Sequence, residues 1–276
     1  IHVSVPPFVP VGYGEGAAYV GPEIFEPQRE ANRLVRERVE AAFRRLCDPA
    51  RMAVRESATV PRGEVALGLP TTVALVATMP ILSACREQLP QVRLKVVEAY
   101  SGFLREKLLS GRLDLALLYG DAVDAGLATR ALLDDRLGFV TRPTSARSPK
   151  KISLAALTRW PLVLPGRGHG LRRIVDEACA RLGLELNVVA EIESLGTVKG
   201  AAEAGIGSTI LPLGGVAEEV AAGRLRAAVI DSPGMSRRVV CATNVTRPAS
   251  PASAAVTALV RRVVHEMVVS DAWPAQ

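Results

Sequence analysis

The most constraining feature of the sequence is an order of predicted elements that occurs twice, once in residues 64–118 and again in residues 161–212. In each copy, a short apolar strand ends at a proline and leads through a loop into a helix. A second strand then runs into a serine, a second helix is closed by a glycine, and a third strand follows. Strands that alternate with helices are typical of parallel sheets. The pattern therefore predicts an α/β chain with two similar lobes.

The bounds of these elements follow from the spacing of apolar residues and from the positions of proline and glycine. In the first copy we predict strands and helices at Glu64–Leu69, Thr71–Leu89, Val92–Ala99, Gly102–Leu109 and Leu113–Leu118. In the second copy we predict them at Pro161–Leu164, Leu171–Leu182, Leu186–Ile192, Thr197–Ala204 and Ile206–Leu211. Two single strands, Leu137–Thr141 and Arg238–Thr243, are suited to crossing between the lobes, and the helix Ala252–Val268 would return to the first. We therefore expect residues 61–141 with 243–269 to form lobe I and residues 142–242 to form lobe II.

Residues 1–60 are expected to form an irregular N-terminal segment followed by a linker helix. Residues 1–27 contain several prolines and glycines and show no steady periodicity. The stretch Gln28–Cys47 has a narrow apolar seam flanked by arginines, which predicts an amphipathic helix. Such a helix either packs on its own domain or pairs with a partner helix, and the sequence leaves both possibilities open.

The composition excludes several classes of protein. With 49% hydrophobic and 22% charged residues, the 276-residue chain is globular. Its four cysteines and three histidines lack the spacing of a disulfide scaffold or a zinc site. There is no apolar run long enough to span a membrane and no secretory signal pattern, so we expect no membrane partner and a cytoplasmic protein without a metal or a resident cofactor. The net charge of +6 is compatible with nucleic acid or with acidic ligands.

The polar residues at the ends of the predicted strands are the candidate binding residues. In parallel sheets, ligands bind beyond the carboxyl ends of the strands, where helix N-termini offer free N–H groups and a partial positive charge. Small polar or basic residues occupy these positions in both lobes: Thr71, Thr72, Ser101, Arg167, His169 and Ser194. The pattern favours a small anion, most simply a carboxylate. Alternatively, the serines and threonines are plain N-caps and Arg167 is a solvated surface charge.

Catalytic motifs have no support in this sequence. It contains no nucleophile elbow, P-loop, zincin motif or dinucleotide-binding fingerprint. Asp114 within a strand, and Asp134 with Asp135 in what looks like a turn, have no plausible catalytic partner. Cys241 lies inside an apolar run and is expected to be a buried thiol. We therefore predict no catalytic residue and no enzyme.

Three stretches resemble the effector-binding region of the LysR-type transcriptional regulators. They are PRGEVALGLP at 61–70, LLSGRLDLAL at 108–117 and VKGAAEAGIGSTILP at 198–212. The resemblance spans residues 52–268 and implies two Rossmann-like lobes, as in type 2 periplasmic binding proteins, joined by two crossover strands. It further implies a small-molecule coinducer in the interlobe cleft, with Gly102 added to the six contacting positions above. Intact members bind DNA as oligomers, so the resemblance implies DNA and a homodimer or homotetramer as partners.

One departure from the family concerns the N-terminus. Members carry a winged helix-turn-helix domain followed by a long linker helix, whereas residues 1–27 show no such pattern. We therefore expect this chain to lack an intact DNA-binding domain. Two alternatives share the fold: a solute-binding protein of a transport system, which the absence of an export signal disfavours, and an enzyme, for which the sequence offers no residue.

Overall fold

The computed structural model describes Val35 and residues 60–120, 125–144 and 150–275. The chain divides into two units, residues 1–59 and residues 60–276, and the second contains every described residue except Val35. Val35 is helical, but the rest of the predicted helix at Gln28–Cys47 lies outside the described residues, as do residues 1–27.

The first lobe is a parallel sheet flanked by helices. Its elements in chain order are β1 (Gly63–Leu69), α1 (Thr71–Gln88), β2 (Val92–Glu98), α2 (Ser101–Leu109) and β3 (Leu115–Tyr119). The strands pair in the order β2-β1-β3, all parallel. Buried apolar side chains of β1 and β3 pack between the helices, which explains why both strands are continuously hydrophobic.

A long strand, β4 (Leu127–Thr141), leads into the second lobe. The later elements are β5 (Lys151–Ser153), β6 (Leu162–Leu164), α3 (Gly170–Arg181), β7 (Val188–Glu191), α4 (Leu195–Ala204), β8 (Thr209–Pro212), α5 (Ala217–Ala221), β9 (Arg226–Asp231), β10 (Ser236–Asn244) and α6 (Pro251–Val269). Two 3-10 helices, Leu154–Arg159 and Leu213–Val216, complete the described elements. The repeated order of elements is thus confirmed, while β5, β9 and α5 were not predicted.

Strand β4 belongs to both lobes. Its residues 127–136 pair antiparallel with β10, whereas its residues 137–141 pair antiparallel with β8 and β9. Strand β10 pairs with β3 on its other side, so it returns the chain to the first lobe. Strand pairing therefore changes between Arg136 and Leu137, whereas the sequence placed the first lobe boundary after Thr141.

The interpretation of Asp134 and Asp135 as a turn is wrong, because both lie within β4. Consecutive charges resemble a turn in the sequence, but the register of the sheet explains them. Asp134 lies opposite Arg238 and Asp135 lies opposite Arg237 on β10. Each carboxylate therefore has a cationic partner on the neighbouring strand, and the backbone remains extended.

The last helix closes the core of the first lobe. In α6, the side chains of Val256, Val260 and Val264 recur every fourth residue and are fully buried against α1 and the sheet. This spacing places them on one face of the helix. The helix begins after Ser250, whose hydroxyl accepts a hydrogen bond from the backbone N–H of Ser253.

Candidate functional site

A cavity of about 940 Å³ lies between the two lobes. The first residues of four helices line it: α1 and α2 from the first lobe, and α3 and α4 from the second. Each of these helices follows the carboxyl end of a parallel strand, which is where ligands bind in open α/β sheets. Four partial positive charges, each about half an elementary charge, thus converge on one space.

Six of the seven predicted site residues line this cavity: Thr71, Thr72, Ser101, Gly102, His169 and Ser194. Arg167 is not among its lining residues. It lies instead at a second cavity, of about 620 Å³, beside Arg172 and Glu191. The loop after β6 is glycine-rich, and the path of its backbone decides where Arg167 lies. The spacing of apolar residues does not predict that path.

The helix N-termini of the two lobes are capped differently. In the second lobe, His169 Nδ1 accepts a hydrogen bond from the N–H of Leu171 at 3.1 Å. Ser194 Oγ accepts one from the N–H of Thr197 at 3.5 Å. In the first lobe, the residues that precede α1 and α2 make no side-chain capping bond. The first lobe therefore leaves more N–H groups available to a ligand.

Arg237, the buried cation of the cleft, was not predicted from the sequence. Its side chain lines the cavity and is only 5% exposed. Nη2 donates a hydrogen bond to Thr72 Oγ1 at 3.1 Å, and the guanidinium carbon lies 3.6 Å from the centre of the Tyr119 ring. Nε has no hydrogen-bond partner among the described residues. Nothing in the sequence around Arg237 distinguishes it, because its position depends on strand pairing.

Behind Arg237 lies a buried carboxyl group, Asp135, which is 1% exposed. Its Oδ2 is 3.6 Å from Arg237 Nη2, and its Oδ1 accepts a hydrogen bond from Trp273 Nε1 at 3.0 Å. Tyr119 Oη donates to Oδ2 at 3.4 Å and lies 2.6 Å from Thr72 Oγ1. Burial raises the pKa of Asp135, while Arg237 and the hydrogen bonds oppose that rise. Asp135 therefore belongs to a buried network with Arg237, Trp273 and Tyr119, which the sequence did not predict.

Tyr100 connects the lobes at the edge of the cavity. Its hydroxyl donates a hydrogen bond to the backbone carbonyl of Glu193 at 3.2 Å, and its ring contacts the His169 ring edge-on at 5.6 Å. Burial and the charge of Arg237 lower the pKa of His169, although Glu193 opposes them. The lowered pKa favours the neutral form of the His169 ring. The helix N-termini, the buried Arg237, and the exposed Arg173 and Arg238 that also line the cavity provide the attraction for an anion.

The described residues contain no cluster of three or more potential metal ligands. Within the same ranges, no helix is long and apolar enough to cross a membrane. Cys241 is buried in β10, as expected, and burial raises the pKa of its thiol to about 11.

Comparisons with known proteins agree with this architecture. The family described as "LysR substrate binding domain" matches residues 58–265. The nitrogen assimilation regulatory protein nac of Klebsiella aerogenes is 33% identical over 222 residues, which are 80% of this chain and 72% of that protein. The HTH-type transcriptional regulator BbuR of Bordetella bronchiseptica is 35% identical over 195 residues, which are 70% of this chain but 59% of that protein.

A solved structure shares the fold. The regulatory domain of CcmR from Synechocystis PCC6803, in complex with 2-PG, superposes with a TM-score of 0.66 at 20% identity, and the match covers 75% of this chain and 99% of that chain. The matched relatives are transcription regulators rather than enzymes or transport proteins. The chain therefore belongs to the LysR family of transcriptional regulators and contains the effector-binding domain of that family.

Proposed function

We propose that residues 60–275 sense a small anionic effector, most simply a carboxylate, in the cleft between the lobes. The intact protein would use this binding to regulate transcription from DNA in the cytoplasm, as a homodimer or homotetramer. The observation that carries the proposal is the convergence of four helix N-termini and the buried Arg237 on one cavity.

The electrostatics of the cleft support an anion. Uncapped N–H groups at the start of α1 and α2 can donate hydrogen bonds to a carboxylate without first breaking a side-chain cap. A guanidinium group recognises a carboxylate through charge-assisted hydrogen bonds. The cavity volume falls within the usual range of small-molecule sites, about 300–1,000 Å³. The complex of the Synechocystis regulatory domain with 2-PG supports a ligand-sensing role for this fold.

Both lobes contribute to the cleft, which offers a way to transmit binding. An effector shifts a conformational equilibrium only by the difference in its affinity for the two states. A ligand held by α1 and α2 on one side and by α3 and α4 on the other binds best when the lobes are close together. Strand β4 pairs with strands of both lobes, so its backbone links a movement of one lobe to the other.

A matched pair of glycine substitutions tests the proposal. Gly102 lies in the first turn of α2, and a Cβ atom there would meet no neighbour within 4 Å. Gly102→Glu places a negative charge in the cleft at a helix N-terminus, where it is compatible with the fold. Gly200→Glu is the control, because Gly200 is equally open, lies on α4 and does not line the cavity.

The assay is the melting temperature in acetate, citrate, sulfate, phosphate and 2-PG. A ligand at about a hundred times its Kd stabilises by about 2.7 kcal/mol. That free energy raises the melting temperature of a domain of this size by roughly 5–10 °C. We expect at least one anion to stabilise the wild type and the Gly200→Glu variant but not Gly102→Glu. Stabilisation that is absent from the wild type, or equal in both variants, would contradict an anion site in the cleft.

A further inference from the structure

The buried cation of the cleft, Arg237, has an internal anion beside it. Arg237 lines the cavity, whereas Asp135 is not among the lining residues and reaches the guanidinium from the interior. The separation of 3.6 Å between Nη2 and Oδ2 is longer than a tight charge-assisted hydrogen bond, about 2.7–2.9 Å. Arg237 Nε also lacks a hydrogen-bond partner among the described residues. The carboxylate therefore offsets the charge of the guanidinium without using all of its donors.

The position of Asp135 is fixed by the C-terminal segment. Trp273 is 1% exposed, and its indole N–H donates to Asp135 Oδ1 at 3.0 Å. The backbone of Asp135 also forms an isolated antiparallel bridge with Ala275. Tyr119 donates to the other carboxylate oxygen from the wall of the cavity. Three contacts, two from the C-terminal segment and one from β3, thus prevent the carboxylate from moving away when a ligand approaches Arg237.

We propose that Asp135 is a specificity-determining residue of the effector site, acting as a resident counter-anion on Arg237. This inference rests on the proposed function, because it concerns the same cleft. An effector anion that approaches Arg237 is repelled by the carboxylate behind it. Repulsion in a partly buried site is screened much less than on the surface. The carboxylate therefore lowers the affinity of the cleft for every anion.

The penalty depends on the charge of the effector. A dianion is repelled twice as strongly as a monoanion, so the effect of Asp135 on its dissociation constant is squared. Asp135 consequently favours a ligand with one carboxylate over a ligand with two negative charges. The chemical class that fits is a monocarboxylate whose remaining groups hydrogen-bond to the helix N-termini.

The test compares acetate and sulfate binding to the wild type, Asp135→Asn and Asp114→Asn by isothermal titration calorimetry at constant ionic strength. Asparagine keeps the shape of Asp135 and an acceptor for Trp273 but removes the charge. We expect Asp135→Asn to bind acetate about tenfold and sulfate about a hundredfold more tightly than the wild type. Asp114→Asn is the matched control, because Asp114 is a half-buried carboxylate of the same lobe that accepts a hydrogen bond from Ala66 N–H outside the cleft. Its affinities should equal those of the wild type.

The outcomes separate the inference from the proposed function. Replacing a residue with a purely structural role would weaken binding. If the wild type binds anions and Asp135→Asn binds them equally or more weakly, the inference is overturned while the proposed function stands. A wild type that binds none of acetate, citrate, sulfate, phosphate and 2-PG overturns the proposed anion site and the inference with it.

The Asp135→Asn variant carries a buried Arg237 without its counter-anion and can fail to fold in plain buffer. In that case refolding in sulfate tests the inference, because a sulfate ion in the cleft would take the place of the carboxylate as the counter-anion of Arg237. Recovery of the fold in sulfate, but not in chloride of equal ionic strength, supports the inference, and failure in both overturns it. Adding Arg237→Gln to the same chain removes the cation and should abolish any dependence of folding on sulfate.

Discussion

Replacing Arg237 with glutamine is expected to destabilise the protein by about 3–5 kcal/mol at pH 7, the usual cost of removing one partner from a buried ion pair. The side chains of Arg237 and Asp135 are 5% and 1% exposed, so water cannot replace the lost cation. For a domain of about 200 residues, this loss corresponds to a fall of roughly 6–20 °C in melting temperature. Thr72 and Tyr119 also lose a cationic neighbour, but the uncompensated carboxylate dominates the cost.

The loss of stability in Arg237→Gln should become smaller as the pH falls. Burial raises the pKa of Asp135 above its ordinary value of 3.8, and removal of Arg237 raises it further. A carboxyl group whose pKa is higher in the folded state favours folding at low pH, and this contribution is lost as the pH rises through the folded-state pKa. The Arg237→Gln variant should therefore approach the wild type in stability as the pH falls below its raised pKa, because Asp135 then becomes neutral.

Urea unfolding of the wild type, both single variants and the Arg237→Gln/Asp135→Asn double variant measures the coupling. In the double variant no buried charge remains unpaired, so we expect it to be more stable than Arg237→Gln alone, with a coupling free energy of about 2 kcal/mol or more. A loss below about 1 kcal/mol in Arg237→Gln, or a double variant as unstable as the sum of the singles, would refute the buried pair.

Three further predictions concern other parts of the fold. Gly205→Ala should destabilise by about 1 kcal/mol in urea unfolding, because Gly205 ends α4 in the left-handed conformation at φ 75°; an unchanged midpoint would contradict this. Lys199→Met should cost about 3 kcal/mol in urea unfolding, since it removes the nearer ionic partner of the buried Glu219, at 2.5 Å, and leaves only Arg224 at 3.8 Å. Burial raises the pKa of Glu219, but the hydrogen bond from Lys199, a backbone hydrogen bond and the charges of Lys199 and Arg224 outweigh it, so the pKa is lowered. The wild type should therefore lose this contribution as the pH falls, and the variant should lose less. Tyr100→Phe should change the free energy of unfolding by less than about 0.5 kcal/mol. Because it removes the hydrogen bond to the Glu193 carbonyl, backbone hydrogen exchange at the cleft should become faster. Unchanged exchange would show that this contact does not hold the lobes together.

Much of the fold could be predicted from the sequence, because its signals are local. Apolar spacing separates helices from strands, and prolines and glycines mark their ends. Strand β1 was predicted at Glu64–Leu69 and lies at Gly63–Leu69, and the helix predicted at Ala252–Val268 lies at Pro251–Val269. Five of the residues that line the cavity follow the ends of predicted strands, so their positions depend on the same local pattern, whereas Gly102 was expected only from the family resemblance.

The features that were missed depend on contacts between distant residues. The first part of β4 was not predicted, because its charged residues are compatible with a strand only when β10 supplies arginines in register. Arg167 satisfied the sequence criterion for a cleft residue, yet the path of the loop places it at another cavity.

The sequence by itself determined two α/β lobes, the helix N-termini between them and most of the polar residues there. Only the tertiary structure decided the charge of the cleft. Arg237, Asp135 and Trp273 come from three separate segments, and none of them has a local pattern that marks it as functional. They meet because β10 pairs with β4 and the C-terminal segment contacts β4 at Asp135. A buried cation and its counter-anion are a property of that packing, since the cost of burying either charge is offset only when the other lies beside it.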